Sequence, residues 1–178
     1  MRAATVQKIK RATRRVVSAN NSKVQPGKFE GLDLESGRAR TADPPELRAR
    51  CRFESGDVRV VTVTPVVKKG DLFWVKAGRF ASRAQSNLTL GVLSVGICRV
   101  QDMTDADAIQ EGVELVKLPK KLEQSKPTPR ERFAWLWDAI NGTTGPESWT
   151  ANPWVWVYQY AAFAENVDDL LARWERSR

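Results

Sequence analysis

The chain holds no histidine. A hydroxyl or thiol nucleophile therefore has no imidazole to take its proton, and a metal ion has no imidazole ligand. Two cysteines, Cys51 and Cys98, are too few for a disulfide framework or a structural zinc site. They are expected to be buried apolar residues in a reducing, intracellular setting. Lysine, arginine, hydroxyls, carboxylates and tryptophan remain to do chemistry. Residues 1–28 contain eight bases: Arg2, Lys8, Lys10, Arg11, Arg14, Arg15, Lys23 and Lys28. The first acid is Glu30, and residues 29–178 hold 21 bases and 21 acids. The whole net charge of +8 thus sits at one end, the footprint of a phosphate-binding surface. An organelle transit peptide or a solubilising tail shares that composition. Five of the seven tryptophans lie between Trp135 and Trp156.

The elements that must position these residues read as follows. Residues 18–46 read as loop, with Pro26-Gly27 and Pro44-Pro45 and no sustained period. Leu47–Phe53 and Val58–Val67 read as a hairpin turning at Ser55-Gly56-Asp57. Leu72–Val75 is a short apolar strand. Leu88–Val100 is β-rich, with Gly91 and Gly96 as expected bulge or bend positions. Thr104 is an N-cap for a helix to about Glu111, ended by Gly112. Lys117–Pro129 is basic, contains proline and reads as loop. Thr128-Pro129 with Glu131 opens the strongest helix, whose Phe133, Leu136, Trp137 and Ile140 share one buried face. Trp154–Tyr160 is an aromatic strand, and 165–176 a last amphipathic helix with Val167, Leu170, Leu171 and Trp174 on one face. Trp135, Trp137, Trp154 and Trp156 are expected in the core. No run of residues is long and apolar enough to span a bilayer.

Several segments resemble the ASCH family, whose members share a PUA-like β-barrel, and most of all its phage and prophage branch. Residues 10–17, Lys-Arg-Ala-Thr-Arg-Arg-Val-Val, are similar to the family's early Lys-x-x-Thr-x-Arg segment. Gly70-Asp71-Leu72-Phe73-Trp74-Val75 is similar to its Gly-Asp strand. Residues 97–113 resemble its strand and short acidic helix ending in Glu-Gly. Residues 133–157, with Trp149 and Asn152-Pro153-Trp154-Val155-Trp156, resemble the ending of the phage branch. The likeness covers roughly 1–17 and 68–160. In two places the chain departs from the pattern. Lys8 stands where a glycine is common, and Lys76-Ala77-Gly78 stands where many phage members carry Arg-Glu-Thr.

One branch of that family hydrolyses the amide of N4-acetylcytidine with a lysine base, a threonine nucleophile and a glutamate proton donor. The resemblance assigns these roles to Lys10, Thr13 and Glu111. A threonine hydroxyl needs a base before it attacks an amide. A lysine serves only when neutral, against a free pKa of about 10.4. Neighbouring Arg11, Arg14 and Arg15, together with burial, push Lys10 in that direction, and an ionised Glu111 pushes the other way. The plainer reading gives Lys10 to phosphate, Thr13 to a strand and Glu111 to neutralising Lys10.

The expected fold class is therefore α+β, a PUA-like small mixed β-barrel with helices packed over its ends. A single domain over 1–163 carries an insertion at about 18–67, and 164–178 forms a C-terminal amphipathic helix, more a cover for the barrel than a dimer contact. Arg11, Arg14, Arg15, Lys76 and Arg79 are candidate nucleic-acid contacts, and Trp74 and Phe80 candidate base-stacking residues. RNA or a modified nucleoside is the expected partner, in the cytoplasm of a bacterial host if phage-encoded. No cofactor, metal or membrane is called for, and a monomer is favoured. Two functions stand open: an amidohydrolase on N4-acylated cytidine or a related modified base, and a non-catalytic RNA-binding module.

Overall fold

The computed structural model of the chain describes residues 11–17, 28–32, 47–52, 56–63, 65, 67–76 and 80–177. The described strands are β1 (Ala12–Val16), β2 (Lys28–Leu32), β3 (Leu47–Arg52), β4 (Val58–Val63), β5 (Leu72–Trp74), β6 (Thr89–Arg99) and β7 (Trp154–Phe163). The helices are α1 (Asp105–Gln110), α2 (Lys120–Gln124), α3 (Pro129–Asn141) and α4 (Val167–Arg176). One antiparallel sheet has the order β1-β7-β6-β5 and curls into a half-barrel, and a second has the order β2-β3-β4. The molecule is thus mixed α+β, with helices packed on a curled sheet.

The hairpin of β3 and β4 forms where valine alternation and the Gly56 turn predict it. Within the expected loop 18–46, however, β2 pairs with β3. A register shift between Phe29 and Gly31 interrupts it, so its five residues carry no period-2 pattern. A second correction concerns β6. Its bulge falls between Val92 and Ser94 and not at either glycine. Beyond the bulge the Ser94 hydroxyl meets Gln159 Oε1 at 2.9 Å. Gly91 instead permits close packing, since a Cβ there would lie 3.1 Å from Phe163 Cε2 and 3.3 Å from Leu72 Cδ2.

Both helix starts read from the sequence form as capping boxes. Thr104 accepts from the Asp107 N–H, and Thr128 from the Glu131 N–H with Pro129 at the first helical position. Gly112 ends the first helical segment at φ 80°. The expected loop 117–129 contains α2, a single turn set between Pro119 and Lys126. The core joins Val100, Met103, Ala108, Val113, Phe133, Trp137 and Val155, with Val16, Cys98, Trp149 and Val157 against it. Trp137 and Trp156 are buried as expected. Trp154 is half-buried beneath the Arg99 guanidinium, 4.4 Å from its ring centroid. Ile140 departs from its expected burial: it is 70% exposed at the end of α3. On α4, Val167 and Leu170 are buried, while Leu171 and Trp174 remain partly open. No helix among the described residues is long and apolar enough to cross a membrane.

Candidate functional site

The site is built on β1, an edge strand. Its start is held from two sides: the Arg11 N–H donates to Gln110 O and the Tyr160 N–H donates to Arg11 O, both at 2.8 Å. Pairing with β7 sets Thr13 opposite Tyr158 and Arg15 opposite Trp156. Successive side chains alternate across the sheet. Ala12 and Arg14 are buried on the helix-facing side, while Thr13 is half-buried and Arg15 exposed on the other.

Arg14 corrects an expectation. The sequence assigns it to phosphate, yet its side chain is 3% exposed and that of Glu111 1%. Arg14 Nη1 donates to Glu111 Oε1 at 3.2 Å, across 97 residues of sequence. Its Nη2 lies 3.6 Å from Asp107 Oδ2. A guanidinium turned into the interior needs opposite charge nearby, and α1 with its C-cap residue supplies both carboxylates. Arg14 Nε is buried with no hydrogen-bond partner. At Asp107, burial pushes the carboxyl pKa up, but hydrogen bonds from the Thr104 N–H and hydroxyl and the Arg14 charge outweigh it and hold the value below normal.

Two cavities share Thr13 and Arg15 in their linings. The smaller, about 180 Å³, is lined also by Arg14, Glu111, Phe133, Leu136, Trp137 and Ile140. The larger, about 340 Å³, adds Val67, Phe73, Leu90, Tyr158 and Tyr160 to the same two residues. Burial pushes the Tyr158 phenol up to about 12, with Tyr160 adding to the shift and Arg15 opposing it. Burial also raises Tyr160. Both are neutral hydrogen-bonding groups at ordinary pH. The larger cavity therefore offers aromatic walls, neutral phenols and one guanidinium, while the smaller offers an apolar wall and the ion pair of Arg14 with Glu111.

Of the residues expected at the site, Thr13 and Arg15 line both cavities, and Arg14 and Glu111 line the smaller. Lys10 and Arg79 lie outside the described residues. Arg11 is exposed at the start of β1. Lys76 is exposed, its Nζ 5.9 Å from the centroid of the Trp74 ring. On β5 the cavity residue is Phe73, and strand alternation turns Trp74 to the opposite side. Phe80 is 91% exposed.

Sequence reading missed Tyr158 and Tyr160. The signal was present, since Tyr-x-Tyr in a strand puts both rings on one face, but the pairing of β7 with Thr13 was not legible. Cys98, half-buried near Arg14, has its thiol pushed up by burial, with the Arg14 charge pulling the other way. No cluster of carboxylates and thiols among the described residues has the make-up of a metal site. No family model, curated protein or solved structure matches the chain.

Proposed function

We propose that the chain is an RNA- or nucleoside-binding protein of the ASCH type, its half-barrel part of a PUA-like barrel. In this reading it hydrolyses the amide of N4-acylated cytidine or a related modified base. The observation that carries the reading is the position of Thr13, in the wall common to two cavities, one of which also holds Glu111. A nucleophile for an acylated exocyclic amine must reach the carbonyl carbon through which the acyl group is joined to the base. The 340 Å³ cavity, with Phe73, Tyr158 and Tyr160, suits the base, and the 180 Å³ cavity suits the acyl group.

The steps follow from those roles. Lys10, as the neutral amine, takes the Thr13 hydroxyl proton while Oγ1 attacks the carbonyl carbon. The tetrahedral intermediate collapses, the C–N bond breaks, and Glu111 relays the proton from the Lys10 ammonium to the departing N4 amine, leaving Lys10 neutral again. Lys10 then takes a proton from water as it attacks the threonyl ester and passes it to Oγ1 as that ester breaks, which restores Thr13. Arg15, at both cavities, supplies positive charge beside the developing oxyanion.

One observation favours a second reading, a barrel that binds RNA without turnover. Glu111 accepts from Arg14 in a buried ion pair that a purely binding domain would equally use to hold β1. Incubation with N4-acetylcytidine separates the two. Turnover by the wild type, reduced at least about a thousandfold in Thr13→Ala with nucleoside binding kept, is the outcome expected of an enzyme whose hydroxyl acts in the transition state. Wild-type protein that binds RNA but leaves acetylated and other acylated cytidines intact would establish the binding module.

A further inference from the structure

Residues 117–132 contain six bases, Lys117, Lys120, Lys121, Lys126, Arg130 and Arg132, against two acids. Both acids are already engaged. Glu123 pairs with Arg132 at 3.0 Å, and Glu131 Oε2 accepts from the Thr128 N–H in the cap of α3. Arg130 is likewise held, donating to Gln101 O and lying over the Trp149 ring. Four lysines are left: Lys117, Lys120, Lys121 and Lys126. All four are exposed, and no acid among the described residues lies within ion-pair distance of them.

We propose that this lysine stripe, along α2 and its flanks, is a second phosphate-backbone surface that binds a single-stranded RNA whose target base enters the cavities at Thr13. The inference rests on the proposed nucleic-acid function and adds that the substrate is a polynucleotide. Two observations choose this occupant. The stripe has one large exposed apolar side chain nearby, Leu115, too little for a lipid interface, which needs an apolar face as well as charge. Its place also matters. Helix α3 runs from Pro129, beside the stripe, to Asn141 in the cavity wall. At 1.5 Å per residue its thirteen residues span about 20 Å, a distance that a free nucleoside cannot bridge and a short strand can.

The test uses the full chain and a fluorescein-labelled single-stranded RNA oligonucleotide, with affinity measured across a salt series. Replacing the four lysines by glutamine (Lys117→Gln, Lys120→Gln, Lys121→Gln, Lys126→Gln) should weaken binding about tenfold or more at low salt. It should also lower the salt slope by about 0.7 for each phosphate no longer neutralised. Lys68→Gln with Lys69→Gln, a charge change elsewhere on the chain, should leave the affinity near that of the wild type. An unchanged affinity in the quadruple variant, or an equal loss in the Lys68/Lys69 control, overturns the proposal. So does wild-type protein that binds anionic phospholipid vesicles but not RNA. Turnover of free N4-acetylcytidine is measured on the same samples and should be equal in wild type and quadruple variant. Its absence in the wild type would count against the hydrolase alone, because RNA affinity reads the stripe separately.

Discussion

Arg14 holds a full charge where water does not reach. Its worth is best judged by what remains when it is removed. Arg14→Ala leaves Glu111, with 1% of its side chain exposed, without the Arg14 guanidinium. Leaving a buried charge wholly uncompensated costs about 3–5 kcal/mol; Glu111 keeps its other contacts, so urea denaturation should show a loss below that range but above about 1 kcal/mol. Replacing both partners by apolar residues should cost far less, since the desolvation penalty goes with the charges. A loss well under about 1 kcal/mol in Arg14→Ala would mean that the pair is solvated. Neighbouring Asp107 gives the same region a pH dependence. Its folded pKa lies below the unfolded one, with burial opposing and Thr104 and Arg14 prevailing. Its stabilising contribution is therefore complete above the unfolded carboxylate pKa, about 4, and fades as the pH falls through the lower folded value. Asp107→Asn should flatten the acid limb of stability against pH, and an unaltered limb would remove Asp107 from the balance. The sequence reading grouped Arg14 with Arg11 and Arg15 as phosphate contacts, although period-2 alternation in a strand sets Arg14 on the face opposite Arg15. Alternation could not tell which side was inward, because that depends on α1, nearly a hundred residues away.

Elements whose signals are local were legible; those fixed by distant partners were not. Thr104 and Thr128 cap helices through bonds that close within three residues, so sequence alone placed both starts. β2 escaped because its partner lies beyond a long connection and Gly31 breaks its pattern at the register shift. α2 escaped because a single turn between prolines has no period to read. The glycines of β6 illustrate the same divide. Both read as bend positions, yet one is crowded and the other open. Beside Gly91 the Phe163 ring is itself held edge-on to Trp174, with centroids 6.0 Å apart. Gly91→Val should cost about 1–3 kcal/mol through overpacking. At Gly96 a Cβ would meet nothing within 4 Å, so Gly96→Val should stay within about 0.5 kcal/mol. Thermal unfolding of the two variants checks the contrast, and equal shifts would show that the Phe163 ring yields freely.

At the scale of the molecule, charge and site were legible to different depths. The sequence displays the basic excess of residues 1–28 openly, whereas the lysine stripe emerges only once Glu123 and Glu131 are seen to be occupied elsewhere. That Thr13 and Glu111 line one cavity depends on long-range packing that no local pattern carries. The cavity's apolar wall comes from α3, whose stripe was read correctly as far as Trp137. Ile140 then runs out to the rim. The position of β1 at the sheet edge has one more effect. Along its length it has one strand neighbour, β7, while β6 and β7 are each paired on both sides. Peeling β1 away breaks five residue pairings, half the number that join β6 to β7. The bond from Arg11 to Gln110 O and the ion pairs of Arg14 act as a latch on its outer flank. With the latch closed, Thr13 is fixed between its cavities. When the latch is released, the strand that carries the Thr13 hydroxyl is free to fray from the sheet edge, so the two cavities would open into each other and be lost as separate compartments in one motion.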